Sequence, residues 1–251
     1  MTLAFDTQTE LESLQRRSLK EEIFAVLHGK IIAGKVRAGE WLRQEDIATQ
    51  LGVSMTPVRE ALDLLVSVGL AERVPYRGVR VPQPSAEEIA EAYAMRLLLE
   101  SVGARAAAIK RKQAQVEDLK RILSRMKGLV SLDDMSTLRQ LSRQFHRSAV
   151  AIGENSMLDR FYEMAMNAFP DWMLYEYLFR HPDLLASSLN DEYEEHMALV
   201  KAIEVGDPGQ AETCARAHIY TLKDQLASFL GIETERLESK ARLFGAPFAA
   251  G

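Results

Sequence analysis

The sequence predicts a mainly α protein in two parts: an N-terminal winged helix-turn-helix, then a C-terminal all-α helical bundle. Three patterns carry this expectation. A short helix, a glycine turn and a longer amphipathic helix follow one another over residues 45–69. Two β-favouring runs come immediately after them. Beyond Pro84, helical periodicity recurs to about residue 230 without any strand pattern.

Residues 1–17 lack sustained periodicity and read as an arm. From Leu19, the apolar residues Leu19, Ile23, Val26, Leu27 and Ile31 fall at helical spacing, and Gly34 marks the stop. The stretch Gly34–Leu42 reads as a loop with a short extended piece. Residues 45–51 form the second helix, with Gly52 placed for a left-handed cap. Ser54 or Thr56 caps a third helix, and Pro57 is tolerated in its first turn because the amide there needs no partner. Val58, Ala61, Leu62 and Leu65 share one face of that helix, leaving Arg59, Glu60 and Asp63 towards the other. Runs around Glu72–Val74 and Val79–Val81, with Tyr76-Arg77-Gly78 between them, predict a hairpin.

Ser85-Ala-Glu-Glu88 is a capping box that opens a long helix to about Ala108. Further helices are predicted at about 114–128, 134–152, 155–168, 171–180, 187–205 and 208–230. Gly153, Pro170, Pro182 and Gly206-Asp207-Pro208 separate several of them. The expected organisation is therefore an arm at 1–17, a winged helix at 18–83, a helical effector and dimerisation domain at 85–230, and a tail at 231–251 that reads as a short polar helix or disorder.

At 251 residues the chain is comfortable for two domains. Hydrophobic and charged fractions of 47% and 27% fit a soluble globular protein, and no apolar run approaches the ~18 residues of a membrane span. Cys214 is the sole cysteine, which excludes an intrachain disulfide and points to a cytoplasmic home. Net charge is −5, yet residues 14–83 hold 11 basic residues against 8 acidic ones, a local balance of +3. A mildly basic front on an acidic body suits a small DNA-binding module carried by a second domain.

In a helix-turn-helix, the second helix offers its N-terminal polar face to the major groove. Here that face carries Ser54, Met55, Thr56 and Arg59, and a guanidinium at Arg59 can reach a phosphate or a guanine edge. Arg43 lies near the start of the first helix of the pair, and Arg77 and Arg80 lie on the hairpin. Helix pairs of this kind also occur in many helical proteins, so periodicity alone leaves DNA binding open.

The run from Gly39 to Val81 resembles the winged helix of GntR-type regulators. Its specific part is Leu51-Gly-Val-Ser-Met-Thr-Pro-Val-Arg-Glu-Ala-Leu62, followed by Gly69-Leu70 and Arg77-Gly-Val-Arg-Val81. The resemblance implies binding to operator DNA. Two departures stand out: Met55 replaces the arginine usual after the motif serine, and Glu45 replaces a base-reading arginine found in several members. Phosphate grip is expected to survive, with altered base readout. Met55 is left between contact with a thymine methyl and plain surface filling.

His146, His196 and His218 each lie within a strong helical pattern, whereas His28 and His181 have no such company. Three imidazoles facing one bundle interior would make a metal site with an open position, although separations of 50 and 22 residues match no local ligand motif. Phe145-His146, Gly153-Glu-Asn155, Glu195-His196, Ala202-Ile203, Gly206-Asp207 and Ala217-His218 together resemble the FCD effector domain, which defines the FadR subgroup of GntR-type regulators, over about 85–230. In many members an acid four residues before the first histidine joins three histidines around a divalent metal such as zinc or nickel. Here Ser142 holds that position. The resemblance also implies a small-molecule effector, expected to be an organic acid, with Ser142 and Arg96 as candidate contacts.

Arg96 either faces the effector or pairs with Glu100 at i+4. Tyr93, Trp172 and Tyr175 either line a pocket or fill core. The expected protein is a cytoplasmic homodimer that regulates transcription. A metal-dependent hydrolase using the three histidines stands as the alternative.

Overall fold

The computed structural model describes residues 18–131 and 134–243, so the expected arm lies outside the described residues. The chain divides between Pro82 and Gln83 into two compact units.

The first unit begins with α1 (Leu19–Ile32). The Glu21 carboxylate accepts the Ser18 backbone N–H at 2.8 Å, which closes the start of this helix. Next come α2 (Gln44–Leu51) and α3 (Met55–Ser67), joined across Gly52, whose φ of 66° is a left-handed conformation that glycine adopts without penalty. Helix α3 packs on both α1 and α2. Its Val58, Ala61, Leu62 and Leu65 are completely buried, as is Ile31 of α1. Burying each branched aliphatic contributes about 1.5–3 kcal/mol, enough to fix which face of α3 turns outward.

Strands β1 (Glu72–Val74) and β2 (Gly78–Arg80) pair antiparallel with Arg73 opposite Val79. The second strand ends before Val81, one residue short of the run that the sequence suggests. Val81 is diverted: its N–H donates to the Glu40 carbonyl at 2.9 Å, and its carbonyl accepts the Gly39 N–H at 2.9 Å. The extended piece around Trp41 is thereby stitched along the wing.

The second unit is helical throughout its described length. Its helices are α4 (Ala86–Lys110), α5 (Gln113–Met126), α6 (Met135–Ala151), α7 (Ser156–Ala168), α8 (Asp171–Arg180), α9 (Pro182–Val205), α10 (Pro208–Leu230) and α11 (Thr234–Arg242). The capping box at Ser85 forms as the sequence indicates. Ser85 Oγ accepts the Glu88 N–H at 3.2 Å, and Glu88 accepts the Ser85 N–H at 2.7 Å.

Helix α4 is the axis of this unit and packs against α6, α7, α9, α10 and α11. With neighbours on several sides it buries charged residues as well as aliphatic ones. Gly103 governs one of these contacts: a Cβ there would lie 2.9 Å from Val150 Cγ2 and 3.3 Å from Val150 Cα. The missing side chain lets α6 close on α4 near the turn that carries His146.

The segment after Gly231 forms the short helix α11 and adds it to the core. Leu237 and Ala241 are fully buried in a cluster with Ile89, Tyr93 and Leu226, and Lys240 reaches Glu91 at 2.9 Å. Two apolar residues at i and i+4 in an otherwise polar helix are too few to announce a buried face in sequence.

Candidate functional site

Two groups of candidate residues emerge, one in each unit. On the winged helix, Ser54, Met55, Thr56 and Arg59 are all exposed around the first turns of α3, and Arg43 is exposed beside the start of α2. Arg77 is exposed on the wing, where its guanidinium sits 5.1 Å from the centre of the Trp41 ring. Arg80 is more constrained: its Nε donates to Glu72 at 2.5 Å, and it also lies over Trp41 at 5.9 Å. A cleft between wing and α2–α3 is lined by Trp41, Arg43, Glu45, Met55 and Arg77. Trp41 escaped the sequence reading. Its position just ahead of the helix pair was visible, but its bridge to Arg80 exists only after folding.

The second unit gathers His146 from α6, His196 from α9 and His218 from α10. One ring nitrogen of each lies within 4.8 Å of the other two. His146 Nε2 and His196 Nε2 are only 3.1 Å apart. Phe145 packs beside His196 with ring centres 4.3 Å apart, and both side chains are buried.

Carboxylates orient two of the rings from behind. Glu100 Oε2 lies 2.9 Å from His146 Nδ1, while Glu100 Oε1 accepts from Arg96 Nε at 2.7 Å. Glu195 Oε2 lies 2.7 Å from His218 Nδ1, while Glu195 Oε1 accepts the Thr221 hydroxyl at 2.5 Å. A carboxylate on Nδ1 holds the proton there and leaves the Nε2 lone pair for a cation. The donor set therefore fits a divalent metal: three imidazoles with two outer carboxylates.

Burial, which disfavours the imidazolium, lowers the His146 pKa despite Glu100, and lowers that of His196 further. Burial would raise Glu100, but Arg96 and His146 outweigh it and hold its carboxyl far below the usual range.

Arg96 makes the intrahelical i+4 pair with Glu100 that the sequence suggests. It also lines the cavity beside the histidines, with its guanidinium 4.7 Å from the Phe169 ring centre. Ser142 lines the same cavity and donates its hydroxyl to Glu192 Oε1 at 2.7 Å. Tyr175 lines it too, whereas Tyr93 and Phe169 sit together in the core cluster around α4. His181 instead contacts the Tyr177 carbonyl.

Glu192, Glu195 and Asp171 also border this cavity and were missed in the sequence. Glu192 had a local signal, the i+4 spacing to His196. The approach of Glu195 to His218, 23 residues away, had none.

Comparison with known proteins matches residues 19–81 to the model for bacterial regulatory proteins of the gntR family, and residues 91–221 to the FCD domain. The chain is 32% identical over 206 residues to a probable D-xylose utilization operon transcriptional repressor of Paenarthrobacter nicotinovorans, covering 82% of this chain and 88% of that protein. The chain belongs to the gntR family.

This regulator is also 25% identical to the gluconate operon transcriptional repressor of Bacillus subtilis, over 77% of the chain and 79% of that protein. The solved structure of Escherichia coli McbR/YncC shares its fold with a TM-score of 0.63 and 22% identity, covering 85% of this chain and 99% of the other. The gntR-family chain is a DNA-binding transcription regulator with an FCD effector domain, and its relatives are repressors, not enzymes. The hydrolase alternative falls on this ground. No helix among the described residues is long and apolar enough to cross a membrane.

Proposed function

We propose that this regulator binds operator DNA as a homodimer and that a small organic acid, received at a metal site in the FCD domain, controls its affinity. The observation that carries the reading is the convergence of His146, His196 and His218 on one buried point, with Glu100 and Glu195 set behind two of them. A divalent ion there, zinc or nickel, would supply a Lewis-acidic centre for an anionic group. His146, His196 and His218 hold it; Arg96, lining the same cavity, offers a guanidinium to a carboxylate. Ser142 lines the same cavity with a neutral hydroxyl.

At the DNA, Arg59, Arg43, Arg77 and Arg80 supply charge, while Ser54, Met55 and Thr56 border the base edges. Twofold pairing would place two winged helices on a palindromic operator, and effector binding would shift their spacing by a coupling of about 1–3 kcal/mol.

The test is fluorescence anisotropy on the chain's own promoter fragment at ~150 mM salt, against bulk DNA, with and without a panel of small carboxylates and zinc. Preferential binding that at least one metal–carboxylate combination changes about 5–150-fold supports the reading. No preference for the promoter sinks its DNA half. Preference that is indifferent to every addition sinks the effector half.

A further inference from the structure

Four carboxylates stand around the histidine cluster, and three of them are already committed. Glu100 spends one oxygen on Arg96 and the other on His146 Nδ1. Glu195 spends one on His218 Nδ1 and the other on Thr221. Asp171 faces Arg139 with Oδ1 at 2.6 Å and Arg143 with Oδ2 at 3.5 Å. The fourth, Glu192, is different. Its Oε1 accepts only the neutral Ser142 hydroxyl, and among the described residues no lysine or arginine pairs with it.

That same Oε1 lies 3.9 Å from His196 Nε2, on the side of the ring that faces His146 Nε2. The side chain is 19% exposed and borders the cavity. This partly buried carboxylate stands beside three imidazoles and a hydroxyl with no cationic side chain against it among the described residues, an arrangement that a cation in the cavity would complete.

We infer that Glu192 is the anionic ligand of this site, joining His146, His196 and His218 on one divalent ion, with Ser142 holding its carboxylate in place. The inference rests on reading the three histidines as a metal site. Bonds of 2.0–2.2 Å to zinc put neighbouring donor atoms roughly 3.3 Å apart in a tetrahedral shell, so Glu192 Oε1, 3.9 Å from His196 Nε2, has to move closer to the rings as the ion binds. Rotation of a terminal carboxylate is soft enough to supply that movement.

Glu192 is one turn before His196 on α9, so a single helix presents both donors to the ion. Ser142, one turn before His146 on α6, has its Oγ 2.7 Å from the Glu192 oxygen. An aspartate at position 142 would therefore deliver a carboxylate oxygen to nearly the same place from the opposite helix. Moving the negative charge from one wall to the other should preserve the site.

The experiment is competition for zinc between a chromophoric chelator and the metal-free full-length chain. Four proteins are compared: wild type, Glu192→Gln, Ser142→Asp/Glu192→Gln and His196→Ala. Wild type is expected to take one zinc per chain. Glu192→Gln should raise the Kd about 100-fold, at or beyond the upper end of what outer partners give, and the double variant should recover most of the loss. That recovery also shows that the weakened single variant is folded. Wild-type affinity in Glu192→Gln, with binding lost in His196→Ala, would overturn the role of Glu192 and leave the three-histidine site standing. Failure of wild type to take up zinc would overturn both.

Discussion

In the winged-helix unit the candidate side chains stand in water: Arg43, Arg59 and Arg77 are exposed, and among the described residues no carboxylate pairs with them. In the helical unit the corresponding cations are buried. Arg96 and Arg139 have side-chain exposures of 6% and 1%, and each meets a carboxylate at 2.6–2.7 Å. The difference reflects what each surface does. A face that meets a polyanion gains by keeping its guanidiniums free of internal partners, since each phosphate contact releases counterions. A sensor interior must hold donors and acceptors in fixed positions without water, so every charge there needs a partner within the fold. Substitutions should therefore separate cleanly, costing binding but not stability in the first unit and stability or ligand capture in the second.

The largest effect expected from single substitutions is Asp171→Asn. It removes the carboxylate that Arg139 and Arg143 share and so weakens a buried ion pair, at a cost of about 3–5 kcal/mol in the stability of the helical unit. Chemical denaturation followed by circular dichroism reads it directly, and an unchanged midpoint would break the contrast drawn above.

The same pair fixes the sign of a pH effect. Burial would raise the Asp171 pKa, but Arg139 and Arg143 outweigh it and hold the folded value below the ordinary 3.8. As pH falls below that range, the unfolded chain takes up the proton first. The stabilisation is full above pH ~4 and is lost as pH drops through the folded value; Asp171→Asn should flatten this part of the profile.

Arg59→Ala should do the reverse, leaving the melting temperature within error while weakening operator binding by about 1–3 kcal/mol, measured by anisotropy at fixed salt. A large drop in melting temperature would show Arg59 to be structural after all. Met55→Ala is the smallest effect and the sharpest probe of readout. With 52% of Met55 exposed, stability should move by less than ~0.5 kcal/mol, while discrimination should relax at one operator position. Unchanged discrimination at every position would leave Met55 as surface filling.

The helix-turn-helix was legible because its signals are local: Gly52, the Ser54 boundary and the spacing of Val58, Ala61, Leu62 and Leu65 act within a few residues of one another. The bundle helices were legible for the same reason, through Ser85 with Glu88 and through the Pro and Gly breaks. The His146–His196–His218 grouping came from resemblance, because spacing said nothing about three rings from three helices. The carboxylates behind them were invisible. Glu100 looked like half of an intrahelical pair, and only the approach of α6 to α4, permitted at Gly103, turned its second oxygen to His146.

The last helix shows the limit in another form. Leu237 and Ala241 carry too little hydrophobic pattern to announce burial, yet they complete the core around α4. By itself, then, the sequence determined most of the helices and which face of α3 is buried, since capping, periodicity and turn chemistry are properties of short segments. Only the tertiary structure decided which carboxylate serves which histidine and which one is left without a cation. Those pairings join residues 23 to 50 positions apart, and their energies exist only once packing has removed the water between them.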